Sequence, residues 1–442
     1  MKFYIKTYGC QMNERDSEAA AAMLIEDGHV QVFSEEEAEL ILFNTCSVRE
    51  QAELKAIGKL SILKKQSSGK FFGIMGCMAQ SRGEELLKKI PHLNFAIGTD
   101  KIHELPDVVH QLKAGSKKAT LEHDNIQDAA GLDSHLVPEN GFKAYVSIMR
   151  GCDRFCTYCI VPYVRGRERS RSPEAVLEEI RALAKAGVKE VMLLGQNVAA
   201  YGTKGLKMDP DVSPFADLLE ETAKIEGIER IRFTSPHPAF FNKRLIECIA
   251  NTPKVCKYVH LPLQSGSDRI LKAMNRPYTA AEYMEIVRSL KEKCNGNIAF
   301  STDIIVGFPG ETDEDFEMTR KIMEEVEFDL AYIFKYSPRK GTKSSLMTDD
   351  VPKEVKEERN QILLKELEKS SQKENLRAVG KTLELLAEGP SRRNAARWCG
   401  RTDQNKLAVF ENTTGVKIGD KVRVHIDRAT SMTLFGTITE EK

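Results

Sequence analysis

The sequence predicts an α/β protein in three parts: an N-terminal open parallel α/β domain, a central partial (β/α)6 barrel and a small C-terminal all-β barrel of the OB type. Three observations predict it. Over roughly the first 110 residues, short apolar runs alternate with amphipathic stretches of helical period. The alternation lapses over residues 115–141, resumes at Lys143 and repeats six times, to about Lys373. Beyond it come only short β-type runs separated by turn residues. The domain limits read from these shifts are 1–114, 142–375 and 376–442, with 115–141 as a linker.

In the first part, Lys2–Thr7, Leu40–Asn44, Phe71–Met75 and Asn94–Ile97 read as strands. Asp16–Glu26, Arg49–Lys65, Gly83–Ile90 and Ile102–Leu112 read as helices. A cysteine follows each of the first three strands, in Thr7-Tyr8-Gly9-Cys10, Asn44-Thr45-Cys46 and Met75-Gly76-Cys77. Loops after the strands of an open α/β sheet gather at its carboxyl edge, where ligands bind. Cys10, Cys46 and Cys77 are therefore expected to meet in space despite their distance in sequence. One cysteine at a strand end is ordinarily a small buried residue. Three of three, two of them after glycine, point to a metal site.

The barrel strands are predicted at Lys143–Met149, Glu190–Leu194, Arg230–Thr234, Tyr258–Pro262, Ile298–Val306 and Leu330–Tyr336. Helical patterns follow them, among them Ser172–Ala186, Ala280–Lys293, Glu314–Glu325 and the charged Pro352–Asn375. Six units are two short of a closed eightfold barrel, so one flank is expected to be open. Directly after the first strand stands a C-x3-C-x2-C loop, Cys152, Cys156 and Cys159. Three thiolates on so short a loop can hold three irons of a [4Fe–4S] cubane and leave the fourth without a protein ligand. An open iron is what S-adenosylmethionine needs to chelate through its amino and carboxylate groups and be cleaved to a radical. Structural zinc wants four closed ligands, and no fourth Cys or His lies nearby in the sequence. An odd count of three argues against disulfides.

Gln196, Asn197, Ser235, Gln264 and Asp303 fall at or near strand ends, where they would line a cofactor pocket or else cap helices and turns. Arg150, Arg154, Arg165, Arg167, Arg169 and Arg171 crowd the cysteine loop, opposed only by Asp153 and Glu168. The planar fork of Arg suits a phosphate backbone, and as a group they are expected to meet RNA or a carboxylate; singly, each could be a solvated charge.

The last part offers β-type runs at Leu383–Ala387, Lys406–Phe410, Lys421–Ile426 and Leu434–Thr439. Lys and Arg outnumber Asp and Glu there by 12 to 8. That modest surplus, with Arg397 and Arg401 in it, fits the oligonucleotide-binding habit of OB-type barrels.

Composition sets the remaining bounds. Lys+Arg and Asp+Glu both number 65 in 442 residues, so a polyanionic partner must be met by a local patch. No apolar run approaches the ~20 residues of a membrane span, and the strand-like start is no signal peptide. Ten cysteines without a secretory signal suit a reducing, cytoplasmic setting and metal ligation. Cys248, Cys256, Cys294 and Cys399 lack cluster spacing and read as core or surface thiols. There is no H-x3-H pair, which argues against a zinc hydrolase, and no Walker-type loop.

The chain resembles the methylthiotransferase family of radical S-adenosylmethionine enzymes over nearly its whole length. The marks are Thr7-Tyr8-Gly9-Cys10-Gln11-Met12-Asn13, Asn44-Thr45-Cys46-Ser47-Val48-Arg49-Glu50, Gly76-Cys77-Met78-Ala79-Gln80 and Cys159-Ile160-Val161-Pro162-Tyr163-Val164-Arg165-Gly166. Leu194-Gly195-Gln196-Asn197-Val198, His260-Leu261-Pro262-Leu263-Gln264-Ser265-Gly266 and Asp303-Ile304-Ile305-Val306-Gly307-Phe308-Pro309-Gly310 add to them, and the C-terminal piece resembles a TRAM domain. The resemblance implies two [4Fe–4S] clusters, a radical one on Cys152, Cys156 and Cys159 and an auxiliary one on Cys10, Cys46 and Cys77. It implies two equivalents of S-adenosylmethionine, one methylating a sulfur at the auxiliary cluster and one yielding a 5′-deoxyadenosyl radical. The implied substrate is isopentenyladenosine beside the anticodon of tRNA, with flavodoxin or ferredoxin as electron donor and a monomeric enzyme. Sibling classes act on threonylcarbamoyladenosine in tRNA or on an aspartate of a small-subunit ribosomal protein. A non-enzymatic RNA-binding protein with structural metal is the reading from another class.

Overall fold

A computed structural model describes residues 1–47, 50–64, 69–112, 117–123, 141–207, 209–413 and 415–439. The N-terminal domain runs β1 (Lys2–Tyr8), α1 (Gln11–Glu26), β2 (Val30–Gln31), β3 (Leu40–Thr45), α2 (Glu50–Leu63), β4 (Phe71–Met75), α3 (Cys77–Lys89), β5 (Phe95–Ile97), α4 (Leu105–His110) and β6 (Lys118–Thr120). The expected ends Arg49 and Lys65 of the second helix lie outside the described residues. All six strands are parallel, in the order β2-β1-β3-β4-β5-β6. Every residue of β3 is buried, as a strand covered on both faces requires. One face carries Ala20, Leu24, Leu105 and Val108 of α1 and α4 over Phe3, Leu42 and Phe95; the other carries Ala56, Leu60 and Met78 of α2 and α3 over Phe43, Phe72 and Ile74. The chain thus leaves β1 for one face and β3 for the other, opening a crevice at the carboxyl edge between them.

The expected linker needs correction. Lys118–Thr120 pairs with Phe95–Ile97 as the sheet's edge, so the domain reaches at least residue 120. An edge strand needs ladder hydrogen bonds rather than an apolar pattern, which is why its polar sequence hid it. Residues 124–140 of that linker lie outside the described residues.

The central part comprises β7 (Lys143–Ser147), β8 (Met149–Arg150), α5 (Val161–Val164), β9 (Arg169–Ser170), α6 (Pro173–Lys185), β10 (Glu190–Leu194), α7 (Pro214–Ala223), β11 (Arg230–Phe233) and α8 (Lys243–Asn251). It continues with β12 (Tyr258–His260), α9 (Asp268–Ala273), α10 (Ala280–Lys293), β13 (Ala299–Val306), α11 (Asp313–Val326), β14 (Leu330–Lys335) and α12 (Lys353–Leu376). β7, β10 and β11 pair in parallel, as do β12, β13 and β14, and a single bridge between Ile231 and Val255 joins the two sets. The result is the six-stranded partial barrel that the periodicity predicts. Helix starts follow local chemistry: Ser172 and Ser213 cap helices that open on proline, and Thr279 with Glu282 and Thr312 with Asp315 form reciprocal capping boxes. α1 of the first domain packs against β7, an edge strand of the partial barrel.

The C-terminal part closes a five-stranded barrel in the order β15-β16-β17-β19-β18 from β15 (Thr382–Ser391), β16 (Asn394–Arg401), β17 (Leu407–Phe410), β18 (Lys421–Ala429) and β19 (Leu434–Ile438). It is fastened beneath the amino ends of the large barrel's strands. Arg232 donates to the carbonyls of Thr402 (2.7 Å) and Asp403 (2.9 Å), Arg230 to that of Arg401 (2.6 Å), and Lys189 to that of Gly419 (2.9 Å). Lys406 pairs with Asp329 at 2.5 Å, just before β14.

Candidate metal centres

The loop after β7 is braced on every side. β8 and β9 pair antiparallel at its base. Between β8 and Cys152, Gly151 takes φ +75°, and a Cβ there would lie 2.0 Å from the Arg167 carbonyl oxygen. Only glycine lets those backbones approach so closely. The Gly151 N–H donates to Gln196 Oε1 (2.6 Å) and the Cys152 N–H to the Gly166 carbonyl (3.2 Å). On the far side, the Thr157 N–H donates to the Met274 carbonyl (3.0 Å), and Asn275 Nδ2 donates to the carbonyls of Arg154 and Phe155 (both 3.1 Å). The three thiols are near enough to feel one another's charge. Burial pushes Cys152 up to about 11 and Cys159 up to about 12, and the neighbouring cysteines push the same way. Positive charge brought to this loop would favour the thiolates that burial disfavours. Arg276 supplies one positive group, its Nη1 3.6 Å from Cys156 Sγ.

The second set forms where the topology places it. Cys10 caps α1, Cys46 follows β3 and Cys77 opens α3, on three adjacent strands. Cys10 is hydrogen-bonded to Cys46, and chiefly for that reason its thiol falls to about 6, with Arg165 also lowering it. Burial raises Cys77, against Arg165 beside it. The N-termini of α1 and α3 both favour thiolate. Gly76 takes φ +86°, and a Cβ there would lie 2.3 Å from Asn44 Oδ1, so glycine lets α3 begin at this spot. Behind Cys10 lies a closed amide network: Asn13 Nδ2 donates to Asn44 Oδ1, and Asn44 Nδ2 to the Asn13 carbonyl (both 2.8 Å). Val48 and Arg49 of the motif after Cys46 lie outside the described residues.

The two sets lie on either side of an apolar contact of Cys77 with Ile160 and Val164. Beside Cys159 opens a cavity of about 460 Å³, lined by Tyr158, Ile160, Gln264, Asp303, Ile305 and Tyr336. Of the five residues expected around a cofactor, Gln264 and Asp303 line this cavity, and Asp303 also meets His260 at 3.3 Å. Gln196 braces the cysteine loop. Asn197 Oδ1 accepts from the His237 N–H (3.0 Å), while Asn197 Nδ2 and His237 Nε2 are buried without a hydrogen-bond partner among the described residues. Ser235, Gln264 and Phe155 all adopt positive φ (+59°, +66° and +48°). Such strain in non-glycine residues concentrates at functional sites. Three converging thiols, orphaned buried polar atoms and an adjoining cavity suit a thiolate-held cluster with a polar cofactor beside it.

The expected arginine patch divides. Arg150 and Arg165 are each 3 % exposed and both pair with the wholly buried Asp16, at 2.5 and 2.8 Å, so neither presents a fork to RNA. The partner lies 134 and 149 residues upstream, beyond what local charge counting can see. Arg171 is buried against Glu179 and Arg169 pairs with Asp100. Arg167 remains outward, its side chain 70 % exposed beside Asp153. Arg397 is half-buried near Glu411, and Arg401 lies 3.3 Å from Glu388. Asp16, Arg276 and His237 escaped the sequence reading. Asp16 had a signal, as a polar residue one helical turn beyond Asn13 on a face otherwise lined with alanine.

Six parallel strands, an open flank and three thiols on the first loop define a radical S-adenosylmethionine enzyme, and the Radical SAM superfamily matches residues 146–323. The uncharacterized protein family UPF0004 matches residues 2–98 and the TRAM domain residues 376–439. The tRNA-2-methylthio-N(6)-dimethylallyladenosine synthase of Akkermansia muciniphila is 45 % identical, over 98 % of this chain and 98 % of its own. The enzyme of the same name from Opitutus terrae is 45 % identical over 99 % and 97 %. This chain belongs to the family of tRNA-2-methylthio-N(6)-dimethylallyladenosine synthases. Among solved structures, the radical S-adenosylmethionine methyltransferase TsrM from Kitasatospora setae superposes with a TM-score of 0.54 at 12 % identity, covering 75 % of this chain and 72 % of TsrM. The cobalamin-dependent enzyme OxsB gives 0.51 at 12 %, covering 83 % and 56 %. Both likenesses are of fold.

Proposed function

We propose that this chain methylthiolates C2 of N6-isopentenyladenosine beside the anticodon of tRNA, giving 2-methylthio-N6-isopentenyladenosine. The observation that carries the reading is that Cys77 of one three-thiol set packs on Ile160, next to Cys159 of the other set, which itself lines a cavity. Cys152, Cys156 and Cys159 would hold the radical cluster, and Cys10, Cys46 and Cys77 the auxiliary one. When bound, the clusters supply an electron for reductive cleavage of S-adenosylmethionine and a sulfur to be methylated by a second equivalent. The chain's own residues do the positioning. Gly151 and Gln196 fix the loop, Gln264 and Asp303 present polar groups to the cofactor, and Ile305 and Tyr336 exclude water from the cavity. Arg167 at the rim, with Arg397 and Arg401 on the small barrel, would meet the RNA backbone. A flavodoxin- or ferredoxin-like donor, a cytoplasmic setting and a monomeric state complete the reading. No helix among the described residues is long and apolar enough to cross a membrane.

The test is mass spectrometry of tRNA nucleosides from a methylthiotransferase-deficient host, with and without this gene. Appearance of the methylthiolated isopentenyl nucleoside is the expected outcome. Unchanged isopentenyladenosine in cells holding iron-loaded protein would overturn it and direct attention to the threonylcarbamoyl nucleoside and the ribosomal protein.

A further inference from the structure

We infer that Arg165 is a positioning residue of the auxiliary centre, and that Asp16 makes it one strut shared by both cysteine sets; the inference rests on the two-cluster reading above. Arg165 comes from the barrel, just beyond α5, and directly follows Val164, which packs against Cys77 of the other domain; its charge works to lower both Cys77 and Cys10. Its Nη2 donates to Asp16 Oδ2 at 2.8 Å, while Nη1 is buried without a hydrogen-bond partner among the described residues. Asp16 Oδ1 accepts from Arg150, two residues ahead of Cys152, and Arg150 Nη1 donates to the Thr99 carbonyl at 3.1 Å. One carboxylate on the helix that Cys10 caps therefore links the root of the radical loop to the wall of the auxiliary centre.

The charge balance of this strut is unfinished. Two buried guanidinium groups share a single buried carboxylate. A buried, unbalanced cation with an idle N–H is costly unless an anion faces it. A cluster held by three thiolates is such an anion, and Arg165 is the cation that reaches those thiols. Positive charge and N–H donation toward cluster sulfur raise a cluster's reduction potential. Asp16, sharing its charge with Arg165, partly cancels that field.

The two halves of the pair must then act with opposite sign. In full-length protein reconstituted anaerobically, R165Q is expected to lower the auxiliary cluster's potential, read by redox titration with electron paramagnetic resonance. D16N is expected to raise it, and R165K, which keeps the charge but loses the fork, to fall between R165Q and wild type. Iron content and 5′-deoxyadenosine formation are followed in parallel. An unchanged auxiliary potential in fully loaded R165Q overturns the inference, as do shifts of the same sign in R165Q and D16N, which mark mere loosening. If R165Q sheds its auxiliary iron, D16N decides: a potential at or below the wild-type value overturns the inference. Wild-type protein with iron for only one cluster would instead overturn the two-cluster reading, before any variant is made.

Discussion

Replacing Gly151 with alanine tests the cysteine loop at its tightest point. The residue sits at φ +75°, where an L side chain costs about 1–2 kcal/mol. The new Cβ would stand 2.0 Å from the Arg167 carbonyl oxygen and 2.6 Å from that of Gly166. Relaxing the first contact to an ordinary C···O separation of ~3.3 Å requires the segments to part by more than about 1 Å. Both oxygens belong to backbone, so no side chain can swing aside. The movement falls on the pair that anchors Cys152, whose N–H donates to Gly166. Misplacing a reacting group by about 1 Å costs on the order of 100-fold in rate. Production of 5′-deoxyadenosine by G151A should thus drop about 100-fold, with iron falling from about eight toward about four per chain. Full iron and cleavage within about threefold of wild type would refute the argument that this approach is obligatory.

Further outcomes follow from the same geometry. Cys156→Ala should abolish 5′-deoxyadenosine formation and keep auxiliary iron, whereas Cys46→Ala should keep cleavage and stop sulfur insertion; methylthiolated product from Cys46→Ala would sink the auxiliary assignment. Burial lifts the Glu18 carboxyl to about 7, against Arg15 and with help from Glu14. A raised folded pKa stabilises below the unfolded value of about 4.3 and loses that contribution as pH rises through about 7. Glu18→Gln should therefore flatten the fall of Tm between about pH 4.3 and 7, and an unchanged slope would clear Glu18. Arg232→Met strips the buried Glu190 of its partner and the small barrel of two carbonyl contacts. It should cost about 3–5 kcal/mol in stability and speed hydrogen exchange over residues 402–406; unchanged exchange would mean that the remaining contacts suffice.

The cysteines were legible because their signals are local or topological. Cys152, Cys156 and Cys159 share one loop, and Cys10, Cys46 and Cys77 each end a strand of a sheet whose parallel order was itself readable. The arginines were not, because burial depends on partners that sequence does not place. Arg150 and Arg165 look like an anion-binding patch until α1 brings Asp16 between them. Gln196, read as a cofactor ligand from its place after a strand, also accepts the Gly151 N–H, a contact that sequence does not place. β16 escaped because the run Asn394–Arg401 mixes small, apolar and charged residues without alternation, yet its ladder with β15 and β17 holds it.

Fastening the small barrel to the amino ends of the large barrel's strands gives the protein a fixed gauge. The cysteine loop lies at the opposite, carboxyl end, above β7, whose 5 residues at about 3.3 Å each rise roughly 16 Å. An RNA held by the small barrel and reacting at the thiols would have to span that height. If the small barrel holds the RNA, as proposed, the reach to the thiols is set by strand length rather than by the slack of a tether.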